Sequence, residues 1–205
     1  MQSLVSRSRV LCAALLALLA ACGPSTTTPD GGDAPDEDAG APPLVSGFAA
    51  DAAVDGPRVV VSAEDVTDEG AVLVVRAHAL GAVWGLALHV DVGALAPPAV
   101  SDIALAGALG GALSAEEHAR VRTTPAGTHA IELVSARAAR DEGVAIDDTA
   151  SGVELARFPV GRAEGETGDI VVDVAPRRAF VRRASGEVVV PARLGGRLTL
   201  AGGAL

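Results

Sequence analysis

The sequence predicts an all-β domain, a single sandwich of about eight or nine strands with a jelly-roll or immunoglobulin-like arrangement. Three observations lead to this fold class. Apolar and polar residues alternate along many short segments, Gly, Asp and Pro separate those segments, and helical periodicity is almost absent. About 160 residues carry the pattern, which is enough for one domain with a substantial core. We expect the sandwich to span residues 47–205, after a signal peptide and a disordered linker.

Strands are predicted wherever this alternation runs between turn signals. The segment PRVVVSAE from Pro57 and the segment AVLVVRAHA from Ala71 are rich in valine, and the turn signal DEG at Asp68–Gly70 separates them. Six further segments have the same pattern and are predicted as strands: THAIELVSA, GVELARFPV, DIVVDVA, RAFVRR, GEVVVP and GRLTLAG.

The segment VWGLALHVD allows its two faces to be told apart. Alternation places on one face Trp84, Leu86, Leu88 and Val90. We therefore expect Trp84 in the core rather than on an exposed platform. Phe158 lies in a similar apolar pattern and is also predicted as a core residue.

One segment, LSAEEHARV, departs from the period of two. Ser114 and Glu117 have the S-x-x-E spacing of a capping box, in which the two side chains bond the free backbone N–H groups of a helix start. A short helix is predicted there.

The N-terminus carries an apolar run that is too short to span a membrane. Val10–Ala21 would extend roughly 18 Å as a helix, against a hydrocarbon core of about 30 Å. It follows Arg7 and Arg9 and ends in small residues, an order typical of a secretory signal peptide over residues 1–21. Its end, LAAC, resembles the lipobox of bacterial lipoproteins. That resemblance implies a diacylglyceryl thioether on Cys22 and cleavage that makes this residue the new N-terminus.

Residues 22–46 are predicted to be the lipidated cysteine and an acidic, disordered linker. The segment is rich in Pro, Gly, Thr and Asp and has no apolar periodicity, so it cannot bury enough surface to fold. Its acidic cluster lacks the spacing of an EF-hand loop, and we interpret it as a solvated tether. The other cysteine, Cys12, lies in the leader, so the exported domain is expected to have no disulfide. Gly23, rather than Asp, follows the lipid site, which favours the outer membrane in lipoproteins resembling those of enterobacteria.

The charge balance excludes some partners. The chain has a formal net charge of −10 and all its basic residues are Arg. An acidic chain of this kind argues against nucleic acid and against anionic lipid surfaces. Contact with the membrane is therefore expected through the lipid alone.

Two local clusters are candidate sites. In PRRAFVRRASGE, four arginines surround Phe180 and form a candidate contact for an acidic partner: Arg177, Arg178, Arg182 and Arg183. An edge strand that carries charges against aggregation explains them as well. In RDEGVAIDDTASG, paired carboxylates that include Asp141, Asp147 and Asp148 are candidate calcium ligands, although a solvated loop rich in turns explains them as well.

Catalysis has little support in the sequence. The chain has no nucleophile elbow, no H-E-x-x-H, no dinucleotide-binding glycine motif and no P-loop. The four histidines are scattered singly: His78, His89, His118 and His129. We predict that the protein is not an enzyme and needs no cofactor beyond the covalent lipid at Cys22.

From about Pro57 to Ala201 the order of signals resembles a cohesin domain, a sandwich that shares its fold with cellulose-binding modules. Three segments carry the resemblance: WGLALHVDVGALAPPAVSDIAL, GVELARFPVGRAEGETGDIVVDV and SGEVVVPARLGGRLTL. In the first, Val90 replaces the family's aromatic residue before Asp91, and Leu95 follows. In the second, the matching residues are Gly152, Leu155, Ala156, Phe158, Val160 and Gly168.

The resemblance implies a binding function. Cohesins bind a calcium-loaded dockerin across one sheet face, and this chain has no dockerin-like repeat, so such a partner must be another exported protein. We predict a lipid-anchored binding or scaffolding module. The alternative is a carbohydrate-binding module for envelope polysaccharide. One Trp, no Tyr and three Phe argue against a flat sugar-stacking strip but leave a narrow groove open.

Overall fold

Two β-sheets face each other across one apolar core, which confirms the predicted all-β sandwich. The computed structural model describes residues 44–106, 115–136, 142–147 and 150–202. The predicted signal peptide, Cys22 and most of the predicted linker lie outside these residues. In the described part, eight strands have five residues or more, and five shorter strands bring the number to thirteen.

The strands in chain order are β1 Gly47–Ala50, β2 Arg58–Glu64, β3 Gly70–His78, β4 Gly81–Gly93, β5 Ala104–Leu105, β6 Ala119–Thr123, β7 His129–Ala136, β8 Val144–Ile146, β9 Val153–Gly161, β10 Ile170–Arg183, β11 Val188–Val189, β12 Ala192–Leu194 and β13 Gly196–Leu200. A 3-10 turn covers Val100–Asp102, and a single-turn helix, α1, covers Ala115–His118. No helix of the described residues is long and apolar enough to cross a bilayer.

The larger sheet has the order β1-β13-β10-β4-β7-β6, with β11 added to β10 and β8 added to β4. The smaller sheet has the order β12-β2-β3-β9-β5. Each pair of neighbouring strands is antiparallel except β12 and β2. Long-range antiparallel pairing of this kind joins segments far apart in sequence, so one face of the larger sheet collects side chains from four distant parts of the chain.

β10 is longer than predicted. DIVVDVA and RAFVRR were expected as separate strands, but they form one strand of 14 residues. Its first half pairs with β13 and its second half, from Ala175, pairs with β4. Pro176 lies between the halves, where the register shifts between Pro176 and Arg178 and so forms a bulge. A proline, which has no N–H group to donate, is tolerated at a bulge because the hydrogen-bonded ladder continues on either side.

The core lies between the inward faces of the two sheets, as the period of two requires. Phe158 on β9 is fully buried beside its cross-strand partner Leu73 on β3, so its predicted core position is confirmed. On β4 the buried residues Leu86, Leu88 and Val90 also confirm the predicted face.

The predicted core position of Trp84 is wrong. The register between β10 and β4 passes from Arg182 opposite Gly85 to Arg183 opposite Val83, so Trp84 is the extra residue of a bulge. Val83 takes the buried position instead, and Trp84 stays half-buried outside the core. A one-residue bulge reverses the alternation that the prediction assumed.

The short helix was predicted in the right place but is shorter than the segment implied. α1 ends at His118, and strand β6 begins at the next residue, Ala119. Ser114 lies outside the described residues, so the predicted capping box stays a prediction. The second half of the segment is a strand because Ala119, Arg120 and Val121 pair with β7.

The segment before β1 lies beside the end of β13. Ser46 accepts a hydrogen bond from the backbone N–H of Ala201 at 2.8 Å. Beside it, Arg162 donates to four backbone carbonyls, those of Asp68, Gly168, Leu200 and Ala201, at 2.5–2.9 Å. This one guanidinium therefore joins the β2–β3 turn, the loop before β10 and the end of β13. The far end of β10 carries the candidate site.

Candidate functional site

An apolar stripe crosses the outward face of the larger sheet. Phe180 on β10 lies opposite Ala87 on β4, which in turn lies opposite Val134 on β7. Val188 on β11 lies opposite Arg182 and extends the stripe past Phe180. Phe180, Val134 and Val188 are 49%, 54% and 64% exposed, although most large apolar side chains of this domain are buried. We call Ala87, Val134, Phe180 and Val188 the apolar stripe.

Two shallow depressions lie on the two sides of Phe180. The first has a volume of about 220 Å³ and is lined by Ala87, Leu88, His89, Glu132, Val134, Arg178 and Phe180. The second, of about 270 Å³, is lined by Gly85, Leu86, Ala87, Val134, Ser135, Phe180, Val181, Arg182 and Val188. Contiguous exposed apolar surface with a polar rim is a common feature of protein-interaction sites.

Two arginines stand on either side of Phe180 on the same strand. Arg178 and Arg182 both point outward, and the rise of a strand separates their backbones by about 13–14 Å. Among the described residues Arg178 has no carboxylate partner within ion-pair distance. The Cζ atom of Arg182 lies 6.0 Å from the ring centroid of Trp84, a cation–π contact that orients its guanidinium.

The structure does not bring the four predicted arginines together. Arg177 is the bulge residue and forms an ion pair with Asp91, with 2.9 Å between Nε and Oδ2. Arg183 donates from Nε to the carbonyl of Leu80 at 2.8 Å and pairs through Nη1 with Glu187 at 2.9 Å. Both are held by local partners, so Arg178 and Arg182 are the two that face the stripe.

The row next to the stripe is polar. His89 Nδ1 lies 3.5 Å from Glu132 Oε1, and the other oxygen of Glu132 accepts a hydrogen bond from Arg122 Nε at 2.7 Å. The charge of Glu132 is therefore already compensated by Arg122.

The outward positions of β4, β6, β7 and the second half of β10 carry a positive surplus. They hold five arginines and two carboxylates, a formal surplus of three positive charges on a chain whose net charge is −10. The arginines are Arg120, Arg122, Arg177, Arg178 and Arg182, and the carboxylates are Asp91 and Glu132. This face is therefore matched to an acidic surface.

The outward face of the smaller sheet has the opposite character. Glu64 accepts hydrogen bonds from Arg76 at 2.8 Å and from Arg157 at 2.9 Å, and Arg157 also contacts Glu154 at 3.3 Å. Two arginines and two glutamates thus form a neutral, closed network across three strands. The hydrogen bond from Arg76, followed by that from Arg157, lowers the pKa of Glu64, while desolvation opposes the shift.

This network gives a pH-dependent contribution to stability. Because the pKa of Glu64 is lower in the folded chain, its contribution is complete above the ordinary pKa of a glutamate and is lost as the pH falls through the folded-state value. We expect Glu64→Gln to melt below wild type at pH 7 and the difference to shrink below about pH 4.5. Thermal unfolding followed by circular dichroism at pH 7, 5 and 3 measures this. A difference independent of pH would contradict it.

The predicted calcium ligands are only partly described. Asp147 is exposed at the end of β8, whereas Asp141 and Asp148 lie outside the described residues. Among the residues that the structure describes, no three His, Cys, Asp or Glu side chains are placed to hold a metal ion. Calcium binding by the loop at Asp141, Asp147 and Asp148 stays a prediction.

Three of the four histidines have local hydrogen-bond partners. His78 is buried, with Nδ1 3.2 Å from Arg58 Nη2. His118 donates from Nδ1 to the carbonyl of Val134 at 2.9 Å, and His129 Nδ1 lies 3.0 Å from Thr123 Oγ1. His89 is the histidine that lines a depression of the candidate site.

Comparison with models of known protein families gives no match, and comparison with curated proteins gives none either. Among solved structures, the chain matches the cohesin module of a family 33 glycoside hydrolase from Clostridium perfringens ATCC13124. The identity is 7%, the match covers 72% of this chain and 97% of that module, and the TM-score is 0.38.

Proposed function

We propose that the chain is a non-catalytic binding and scaffolding module that docks an acidic exported protein on the outward face of β10, β4, β7 and β6. One observation carries this proposal: Phe180, half exposed, stands between two outward arginines on the positive face of an acidic chain. Exposed aromatic residues and arginines are the side chains that most often dominate binding at protein interfaces.

The dimensions of the face fit one α-helix of the partner. A helix with its side chains is about 10–12 Å wide, close to the 13–14 Å between the backbones of Arg178 and Arg182. The apolar stripe crosses four strands, about 14–15 Å, which corresponds to roughly ten helical residues. Such a helix would place apolar residues on Phe180 and Val134 and carboxylates towards both arginines. A dockerin-like protein, which the sequence resemblance implies, is the specific form of this proposal.

Capture from the native organism tests the proposal. The protein, purified in mild detergent and immobilised, is exposed to secreted and envelope extract with calcium and again with a chelator. We expect wild type to retain an acidic protein that Phe180→Asp does not retain. A calcium-dependent partner with repeated D-x-[DN]-x-[DN]-G loops would support the dockerin-like form. Equal retention by wild type and Phe180→Asp would overturn docking at this face.

Carbohydrate binding is the second candidate, and the position of two aromatic side chains favours it. Phe180 is exposed, and Trp84 lies outside the core next to Arg182 on the same face. Polar groups for sugar hydroxyls stand beside them in His89 and Glu132. Retention of envelope polysaccharide by wild type, lost in Phe180→Ala and without any retained protein, would decide for this candidate.

We also propose that the module is attached through a lipid at Cys22, in the outer membrane. The LAAC motif and the apolar run before it support this proposal. We expect wild type to enter the detergent-rich phase on Triton X-114 partition and Cys22→Ala to stay in the aqueous phase. If Cys22→Ala also enters the detergent phase, lipid anchoring at this residue is wrong.

A further inference from the structure

The smaller depression beside Phe180 has unequal sides. Ala87, Val134 and Phe180 supply an apolar surface, while Arg178 stands at the rim. Its volume of about 220 Å³ equals that of roughly seven water molecules in the liquid. An aspartate or glutamate side chain fits in this space with its methylene groups on the apolar surface.

The charges around the depression favour an anion. Arg178 has no carboxylate within ion-pair distance among the described residues, so its charge is not compensated there. Glu132 lies two strands away, about 10 Å between backbones, and is bound by Arg122 at 2.7 Å. An incoming cation would meet Arg178 and find Glu132 already compensated. An incoming carboxylate would meet one uncompensated guanidinium.

The depression on the other side of Phe180 is more apolar. Arg182, which lines it, has its Cζ atom 6.0 Å from the ring centroid of Trp84, and the lining also includes Val134, Phe180 and Val188. The second depression is therefore lined mainly by apolar side chains.

We infer that the depression between Phe180 and Glu132 is a subsite for one aspartate or glutamate side chain of the partner, whose carboxylate binds Arg178. This inference rests on the proposed function, because it names the side chain that the docked protein presents at this point. Hydrogen bonds from a guanidinium to a carboxylate are among the stronger contacts available at a protein surface.

Small probes test the subsite without the partner. Butyrate reproduces the aliphatic part and the carboxylate of a glutamate side chain, and butyramide is its neutral counterpart. The protein is titrated with each in mild detergent at constant ionic strength, while NMR follows the arginine Nε–Hε signals and the ring of Phe180. We expect butyrate to shift the signals of Arg178 and Phe180 saturably and to bind at least about fivefold more tightly than butyramide.

Two variants complete the test. Arg178→Gln is expected to weaken butyrate binding by at least about fivefold, with its backbone amide spectrum otherwise unchanged. Arg197→Gln is the matched control, because Arg197 lies on the outward face of the same sheet and pairs with Asp173 at 3.1 Å. It should bind butyrate as wild type does. Equal binding of butyrate and butyramide, or full butyrate binding by Arg178→Gln, would overturn the subsite.

The two proposals fail separately. If the butyrate titration fails while capture is still lost in Phe180→Asp, the docking face stands and the carboxylate subsite is wrong. If butyrate binds at Arg178 but capture is unchanged in Phe180→Asp, the subsite stands as an anion site and protein docking on the stripe is wrong.

Discussion

Replacing Phe158 by alanine is expected to lower the free energy of unfolding by about 3–5 kcal/mol. Phe158 is fully buried between the sheets, on a strand with β3 on one side and β5 on the other. Its removal takes apolar surface out of the core and leaves a cavity that surrounding strands, fixed by their hydrogen bonds, cannot close. Urea denaturation of the purified protein, analysed by linear extrapolation, measures the change.

Phe180→Ala is the matched control for this prediction. It removes the same atoms from a ring that is 49% exposed on the outward face of β10. We expect it to change the free energy of unfolding by less than about 1 kcal/mol. Equal destabilisation by the two variants would mean that Phe180 is a structural residue and that the apolar stripe is part of the packing.

The second large effect concerns binding. Phe180→Asp is expected to lower the affinity for the captured partner by at least about thirtyfold. The change removes the central apolar contact and places a negative charge against the acidic surface of the partner. Surface plasmon resonance on the immobilised wild type and variant measures the affinity.

Val171→Asp separates local contact from a general charge effect. Val171 is also 49% exposed and faces outward on β10, but it lies in the half of the strand that pairs with β13. The charge change is the same, so the variant should keep the affinity within about threefold of wild type. If both variants lose binding equally, the effect is one of net charge, and the stripe is not the docking surface.

Much of the fold follows from local sequence because each strand carries its own alternation. The valine-rich segments before and after the turn at Asp68–Gly70 became β2 and β3 almost to the residue. The errors occur where pairing overrides local pattern. Trp84 was displaced from the core by a bulge that depends on its pairing with Arg182 and Arg183 of β10, far later in the chain. The segment after α1 became strand because β7 offers it a partner.

The candidate site was predictable only in part. The cluster of arginines around Phe180 stands out in one continuous segment, so the sequence alone indicated it. Which arginines face outward depends on the two register shifts, and these assign Arg177 and Arg183 to local partners. Ala87 and Val134 join Phe180 only through the order of strands in the sheet, and nothing in their own segments marks them as exposed neighbours of an aromatic ring.

The outward faces of the two sheets differ in how far their charged side chains are paired. On the smaller sheet, Glu64, Arg76, Glu154 and Arg157 satisfy one another, so that face offers a partner little uncompensated charge. On the larger sheet, the exposed ring of Phe180 lies beside Arg178, which forms no ion pair with the carboxylates that the structure describes. When another protein covers this ring and pairs with this charge, the free energy of the complex falls, which is the physical basis of the proposed function.

Hydroxyl-radical footprinting of the captured complex tests docking on the apolar stripe, because it measures the solvent exposure of individual side chains. The docking proposal predicts that Phe180 and His89 react several-fold more slowly in the complex than in the free protein. Phe48 on β1, away from the stripe and half-buried against the core, should keep its rate. An unchanged rate at Phe180 in a saturated complex would contradict docking on this face.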